Sequence, residues 1–381
     1  MIVPLLLIIL SCVVIWRSSD GFEVASDYLG RKLPPGIKGA TINAIASSMP
    51  EFLTTIFFLF YLRDPEGFSG GLGVTSGSAL FNLLIIPALV VMMLFSLGKG
   101  AGISLNKKVL LREGLVLLLS QVVFISFLFQ GRLVGWHGFI LVMIYILYLG
   151  LLFAITRRKR TADPGFTLRV PEKRSPVWIR LITIDITHLV LYRQKISRSY
   201  AWILLTVSTL VMAFGTWLLV YATDWFGNAT GIPLVFVAVV LSAAATSVPD
   251  TIISIKDARK GNYDDAVSNA LGSNIFDIAF ALGFPVLLYN LFYSGSMTLN
   301  QDVLKFTQEV WAFLLLATAV SLAILLLGKY LTRFKAFLLL GIYLMFLLFV
   351  WTQVGGLQAG IGKTIGDFLS EVARWIGQIL H

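Results

Sequence analysis

Ten runs of apolar residues, each near 20 residues long and set off by charged or Gly/Pro-rich breaks, dominate this 381-residue chain. A helix of about 20 apolar residues is what a hydrocarbon core of ~30 Å requires. Only 13% of the side chains are charged, about half the share usual in soluble domains, so a water-soluble enzyme and a disordered chain are excluded. Cys12 is the only cysteine, which excludes a disulfide scaffold. The expected fold class is an all-α polytopic membrane protein.

The predicted spans lie near 1–16, 39–61, 72–96, 113–130, 135–156, 200–222, 231–254, 265–290, 305–327 and 336–353. The first run is apolar enough for a signal peptide, but no basic residue precedes it and no small-residue cleavage site follows, so it reads as a span. With ten spans the connecting segments alternate between two sides, and 25 of the 30 basic residues fall on one of them. The positive-inside rule makes that side cytoplasmic and puts both termini outside, in a cell membrane. The net charge of +10 is therefore a topology signal, and no nucleic-acid partner is expected.

The long polar interruption at 157–199 holds Pro164, Pro171 and Pro176 and reads as a basic cytoplasmic linker with a short interfacial helix near Trp178–Ile182. It divides the chain into a first five-helix half at 1–156 and a second at 200–353. Residues 354–381 form an amphipathic tail, with Ile361, Ile365, Phe368, Leu369, Val372 and Ile376 at helical spacing, expected on the outer membrane face. The segment Gly67-Phe68-Ser69-Gly70-Gly71-Leu72-Gly73 reads as a flexible gate or turn before the third span, because no Lys-Ser/Thr follows to make it a phosphate loop.

The two halves repeat each other. Ala44-Ile45-Ala46-Ser47-Ser48-Met49-Pro50-Glu51 aligns with Ala243-Ala244-Ala245-Thr246-Ser247-Val248-Pro249-Asp250, and Gly77-Ser78-Ala79-Leu80-Phe81-Asn82 aligns with Gly272-Ser273-Asn274-Ile275-Phe276-Asp277. The repeats lie at about 39–96 and 231–290. Five spans per half forces the copies into the membrane in opposite directions, so the expected architecture is two inverted five-helix repeats. Such repeats place a site near the bilayer midplane and open it alternately to each side.

Pro50 and Pro249 lack an N–H and displace the carbonyls of Ala46 and Ala245 from helical bonding. Beside them stand Glu51 or Asp250 and the hydroxyls of Ser47, Ser48, Thr246 and Ser247. In the second block Ser78 and Asn82, or Ser273 and Asp277, share a helix face, while Gly77 and Gly272 allow close helix approach. Carbonyls, hydroxyls and carboxylates are the ligands of a hard cation such as Ca²⁺ or Na⁺. Pro kinks and Ser/Asn pairs alone are ordinary inter-helix structure. Mid-membrane carboxylates are not, since each costs roughly 2.5 kcal/mol or more unless compensated. Only Glu51, Asp250 and Asp277 are expected deep within spans, meeting in one pocket with no Lys or Arg to pair them. A bound cation or a proton must answer their charge. Three Na⁺ would neutralise three carboxylates, as would one Ca²⁺ with one K⁺ or H⁺, and a site that does not cross the membrane empty is an antiporter.

At these residues the chain resembles the cation/Ca²⁺ exchanger superfamily, whose two repeats carry a [ST]-S-x-P-[ED] block and a G-S-x-x-F-[ND] block. The segment from Ala244 through Asp250 and on from Ser268 to Asp277 is similar to the K⁺-dependent Na⁺/Ca²⁺ exchanger branch. The resemblance implies that Glu51 and Asp250 are the principal Ca²⁺ ligands, assisted by Ser47, Thr246 and the carbonyls of Ala44 and Ala243. It implies that Ser48, Ser78, Ser247, Ser273, Asn82 and Asp277 complete Na⁺ sites or, for Asp277, a K⁺ site. The proton-coupled members carry G-N-x-x-E instead, so Na⁺ coupling is favoured. Ser47 for Thr or Gly, Val74-Thr75-Ser76, and Asp250 for Glu depart from the family pattern. No cofactor is expected; the partners are inorganic cations and the lipid bilayer, and a monomer is the expected unit. The alternatives are a proton- or Mg²⁺-coupled exchanger on the same scaffold, an intramembrane aspartyl hydrolase using Asp250 and Asp277, and an ion sensor. The hydrolase lacks its G-x-G-D block, and the sensor lacks a signalling domain.

Overall fold

A computed structural model describes residues 1–31, 39–62, 65–98, 103–156, 176–192, 196–293, 295–328, 330–354 and 361–380. Among them, ten helices are long and apolar enough to cross a membrane: α1 (Ile2–Leu29), α2 (Thr41–Phe60), α3 (Phe68–Ser96), α4 (Lys107–Phe129), α5 (Gly135–Ile155), α6 (Arg198–Thr230), α7 (Leu234–Arg259), α8 (Tyr263–Tyr293), α9 (Gln301–Leu326) and α10 (Arg333–Val354). Lipid offers the backbone no hydrogen bonds, so each apolar run closes its own as a helix.

The largest departure in length is α1, which continues well past residue 16. Its 28 residues span about 42 Å, beyond the hydrocarbon core, so its second half can carry charge. Arg17 pairs with Asp20 at 3.1 Å, and Lys256 of α7 meets Asp20 at 3.1 Å and Glu23 at 2.9 Å. The expected Gly-rich gate is also corrected: the chain is already helical from Pro65. A Cβ at Gly70 would fall 2.5 Å from the Phe58 ring, and one at Gly73 would fall 2.8 Å from the Val235 carbonyl. These glycines let α3 lie against α2 and α7.

Two small antiparallel sheets fix which loops share an end of the bundle. Strand β1 (Ile103–Ser104), between α3 and α4, pairs with β4 (Tyr330–Leu331), between α9 and α10. Strand β2 (Arg132–Leu133), between α4 and α5, pairs with β3 (Met297–Thr298), between α8 and α9. Exchanging the halves turns one pair into the other, as an inverted repeat requires. The helices obey the same exchange: α1 runs along its mate α6, and α4 along its mate α9.

Four π-helical turns mark the repeat from within: Gly39–Asn43 leading into α2, Phe81–Ile85 in α3, Ala238–Ser242 in α7 and Asp277–Ala281 in α8. Such single turns recur at functional sites. The two Pro act differently. Pro50 lies within a continuous helix, whereas Pro249 stands in the first turn of a new segment, Val248–Arg259, after a one-residue break at Ser247.

The greater part of the predicted linker, 157–175 and 193–195, lies outside the described residues. Its expected short helix is present as Val177–Ile182, and a second, Ile186–Leu191, follows with Asp185 capping its start. Ile186 and Leu191 pack with Ala25 of α1 and Leu204 of α6. In the tail, a helix over Ile361–Leu380 docks its apolar stripe on α9, α4 and α10, burying Leu369 and Ile376. Phe368 stays exposed.

Candidate ion-binding site

The repeated blocks bring α2, α3, α7 and α8 together at mid-bundle. Glu51 and Asp250 are both fully buried there. Ser78 donates to Glu51 Oε1 at 2.8 Å and lies 2.9 Å from the Ser247 hydroxyl of the other half. Its repeat mate Ser273 donates to Asp250 Oδ1 at 2.6 Å and lies 3.2 Å from the Ser47 hydroxyl, again across the halves. Each carboxylate is thus held by the serine of its own half, and each serine reaches into the opposite one.

The mirror relation fails at one pair. Asn82 Nδ2 donates to Asp250 Oδ2 at 2.9 Å. Its mate Asp277 cannot return the bond to Glu51, because an ionised carboxylate is acceptor-only. Glu51 Oε2, both carboxylate oxygens of Asp277, Asn82 Oδ1 and the Ser48 hydroxyl are buried without a hydrogen-bond partner. Buried polar atoms are normally paired, and these all belong to the repeated blocks, so the gap belongs to a site.

Ser47 donates to the carbonyls of Asn43 at 2.9 Å and Ala44 at 3.3 Å, and Thr246 donates to that of Ala243 at 3.2 Å. The Ala243 carbonyl also accepts from the Ser247 N–H at 3.1 Å, so hydroxyl and amide together engage both of its lone pairs. Among the described residues no three His, Cys, Asp or Glu side chains close on one point. The expectation of three carboxylates in one cage is corrected to a Glu51–Asp250 pair bridged by serines, with Asp277 beside it, acted on by both. Like charges repel, and neutral hydroxyls keep them apart.

Two residues of the site were not predicted. Asn269 lies 3.5 Å from Asp250 Oδ1 and 3.4 Å from the Ser254 hydroxyl. Asn274 donates to the carbonyl of Ala79, its own repeat mate, at 2.9 Å. Both stand in the second block, but their mates Val74 and Ala79 are apolar, so a search for matched polar residues passes over them.

The expectation that only three acids are deeply placed is also corrected, since Glu113 of α4 and Glu309 of α9 are buried. Glu113 pairs with Arg112 at 2.5 Å and accepts from the Tyr148 hydroxyl. Glu309 accepts from Ser370 of the tail helix at 2.5 Å and lies 4.0 Å from Lys305. None of the ion pairs among the described residues involves Glu51, Asp250 or Asp277. A cavity of about 510 Å³ opens at the β2–β3 end of the bundle, lined by Leu62, Ser69, Asp224, Asn228 and Val235 among others. At the other end Lys256 ties α7 to α1 through Asp20 and Glu23.

The arrangement agrees with what the chain is similar to. Residues 3–154 and 200–352 match the family described as sodium/calcium exchanger protein. Sodium/potassium/calcium exchanger 5 of Homo sapiens is 26% identical over 72% of this chain and 67% of its own length. Among solved structures, the fold resembles an H⁺/Ca²⁺ exchanger, CAX, with a TM-score of 0.71 at 15% identity, covering 99% of this chain and 87% of the other. It also resembles the sodium-calcium exchanger NCX_Mj, with a TM-score of 0.56 at 20% identity, covering 91% of this chain and 98% of the other. Family and neighbours are transporters rather than enzymes. The chain belongs to the sodium/calcium exchanger family, a multi-pass membrane protein of the cation/Ca²⁺ exchanger superfamily.

Proposed function

We propose that this chain exchanges Na⁺ for Ca²⁺ by alternating access, at a site formed by Glu51, Asp250 and Asp277 with Ser47, Ser48, Ser78, Asn82, Thr246, Ser247, Ser273 and the carbonyls of Ala44 and Ala243. One observation carries the reading: the Asn82/Asp277 mismatch leaves three buried carboxylate oxygens without donors, beside the partnerless Asn82 and Ser48 oxygens. A cation supplies what no side chain there does. Ca²⁺ takes 6–8 oxygens at 2.3–2.6 Å, which suits the Glu51–Asp250 pair with its neighbouring hydroxyls and carbonyls. The Asp277–Ser48 edge suits a monovalent ion, Na⁺ or K⁺.

The two halves, 1–156 and 200–353, are the units that exchange roles, joined by the basic linker 157–199. The basic β1–β4 end faces the cytoplasm, and the termini and the 510 Å³ cavity face outward. Both halves of the site come from one chain, which makes a monomer sufficient.

Proton coupling is the second reading, favoured by the same uncompensated carboxylates, since protonation would also neutralise them. Ca²⁺ uptake into proteoliposomes under Na⁺, K⁺ or pH gradients imposed one at a time separates the two. The proposal expects uptake driven by an outward Na⁺ gradient. Uptake driven by the pH gradient alone, unaffected by Na⁺, overturns it.

A further inference from the structure

Tyr145 of α5 lies outside both repeated blocks, yet its hydroxyl is buried with no hydrogen-bond partner. Buried tyrosines normally find one. Tyr148, one turn along, finds Glu113. The Tyr145 ring is held edge-on to Phe276 with centroids 5.3 Å apart, and against Phe280 at 5.7 Å. Those two rings flank Asp277 on α8, and α5 packs on the π-helical turn that Asp277 begins. The Asp277 carboxylate interacts electrostatically with this hydroxyl and, from the α2 side, with that of Ser48. Packing alone would be served by phenylalanine. A hydroxyl kept dry and partnerless, within electrostatic range of the Asp277 carboxylate, is an oxygen ligand waiting for an ion.

We propose that the Tyr145 hydroxyl is a further ligand of an alkali-cation subsite at Asp277, shared with Ser48, and that it sets that subsite's selectivity. The inference rests on the ion-site reading above. The ion is a largely dehydrated Na⁺ or K⁺, because the surrounding Phe276, Phe280 and Phe52 rings leave little room for a hydration shell.

The test uses the full-length protein and Tyr145→Phe. Thermal unfolding in detergent is titrated with NaCl or KCl, using choline chloride to hold ionic strength constant. Ca²⁺ flux in proteoliposomes is titrated the same way. Removing one neutral ligand is expected to raise the half-saturating concentration of one alkali cation about fivefold to tenfold. The ion whose curve moves is the occupant. Half-saturation by Ca²⁺ should change less than about twofold, and Tyr148→Phe should lower ion-free stability without moving either alkali-cation curve. Superimposable Na⁺ and K⁺ curves for Tyr145→Phe and the unmodified protein overturn the proposal. If the unmodified protein shows no Ca²⁺ flux under any gradient, the exchange reading fails, and the detergent titration still decides the ligand.

Discussion

At the scale of single residues, what separates Glu51, Asp250 and Asp277 from the other buried acids is the missing partner. Glu113 and Glu309 lie near the starts of the mate helices α4 and α9, but each has a basic side chain and a hydroxyl at hand. The proposed ligands differ from one another as well, which gives two substitutions of opposite sign. Glu51→Gln keeps the oxygen that accepts from Ser78 and turns an amide toward the unpaired edge, where Asp277 lacks a donor. It should abolish Ca²⁺ flux by about 100-fold while raising the ion-free Tm by about 2–4 °C, because a buried charge costing roughly 2.5 kcal/mol is removed. Asp250→Asn should also abolish flux. There, however, the new amide meets donors from Asn82, Ser273 and Asn269, so the ion-free Tm should fall, by about 1–3 kcal/mol of lost stability. Equal Tm shifts in the two variants would refute this account of their environments. Ten of the twelve proposed site residues stand out in the sequence because repetition flags them twice, whereas the carbonyls of Ala44 and Ala243 come from the family resemblance alone. Asn269 and Asn274 do not stand out, since their mates carry no matching polar group; Tyr145 has Tyr343 as its counterpart on α10 but lies outside the aligned motif blocks, and Glu113 and Glu309 sit close enough to helix ends to read as interfacial.

At the scale of elements, the spans themselves were legible from apolar length, whereas what shapes them locally was not. Hydropathy cannot see the four π-helical turns, and it mistakes a glycine-rich helix for a loop because glycine is the commonest loop signal. Here the glycines are a contact surface. A Cβ on Gly77 would stand 2.0 Å from the Val239 carbonyl and 2.6 Å from Ala243 Cβ, against the π-helical turn that leads α7 into its broken site segment. Neither obstacle is the free end of a flexible side chain. Gly77→Ala should therefore push α3 off α7 and separate Ser78 from Ser247. The expected result is a loss of about 1–3 kcal/mol together with loss of Ca²⁺ binding. Gly150→Ala on α5 meets nothing within 4 Å and should be neutral or gain up to about 1 kcal/mol from helix propensity. Thermal unfolding and ⁴⁵Ca²⁺ binding on both variants check the contrast. A stable, fully binding Gly77→Ala protein would mean that the two helices are not clamped at this point.

At the scale of the whole molecule, the inverted repeat makes the two ends of the bundle near-equivalent in backbone and unequal in side chains. Sequence showed the backbone symmetry, through five spans per half; the inequality needed coordinates, because Asp20, Glu23 and Lys256 are far apart in the chain. Lys256 lies six residues beyond Asp250 on α7, about 9 Å along the helix. It joins that helix to α1 at the basic end through two charge pairs of 3.1 and 2.9 Å. Among the described residues the β2–β3 end shows no ion pair between α2 and α6, the mates of α7 and α1, and it holds the cavity instead. The asymmetry amounts to a charge latch at the basic end and a cavity, short of the buried site, at the other. The latch groups are partly exposed, so each pair contributes about 0.2–1 kcal/mol, enough to bias the two conformations and too little to trap one. Lys256→Ala should then shift the population toward opening at the basic end by about twofold to fivefold. The shift can be read from a reporter cysteine at Ser254, one turn from Asp250 on the basic side, in a Cys12→Ser background. A membrane-impermeant maleimide applied from that side should label it faster in the Lys256→Ala protein by the same factor. Asp20→Asn combined with Glu23→Gln should reproduce the effect, and adding Lys256→Ala to that pair should increase it no further. Unchanged labelling in all three would mean that the ion pairs decorate the basic end without holding it shut.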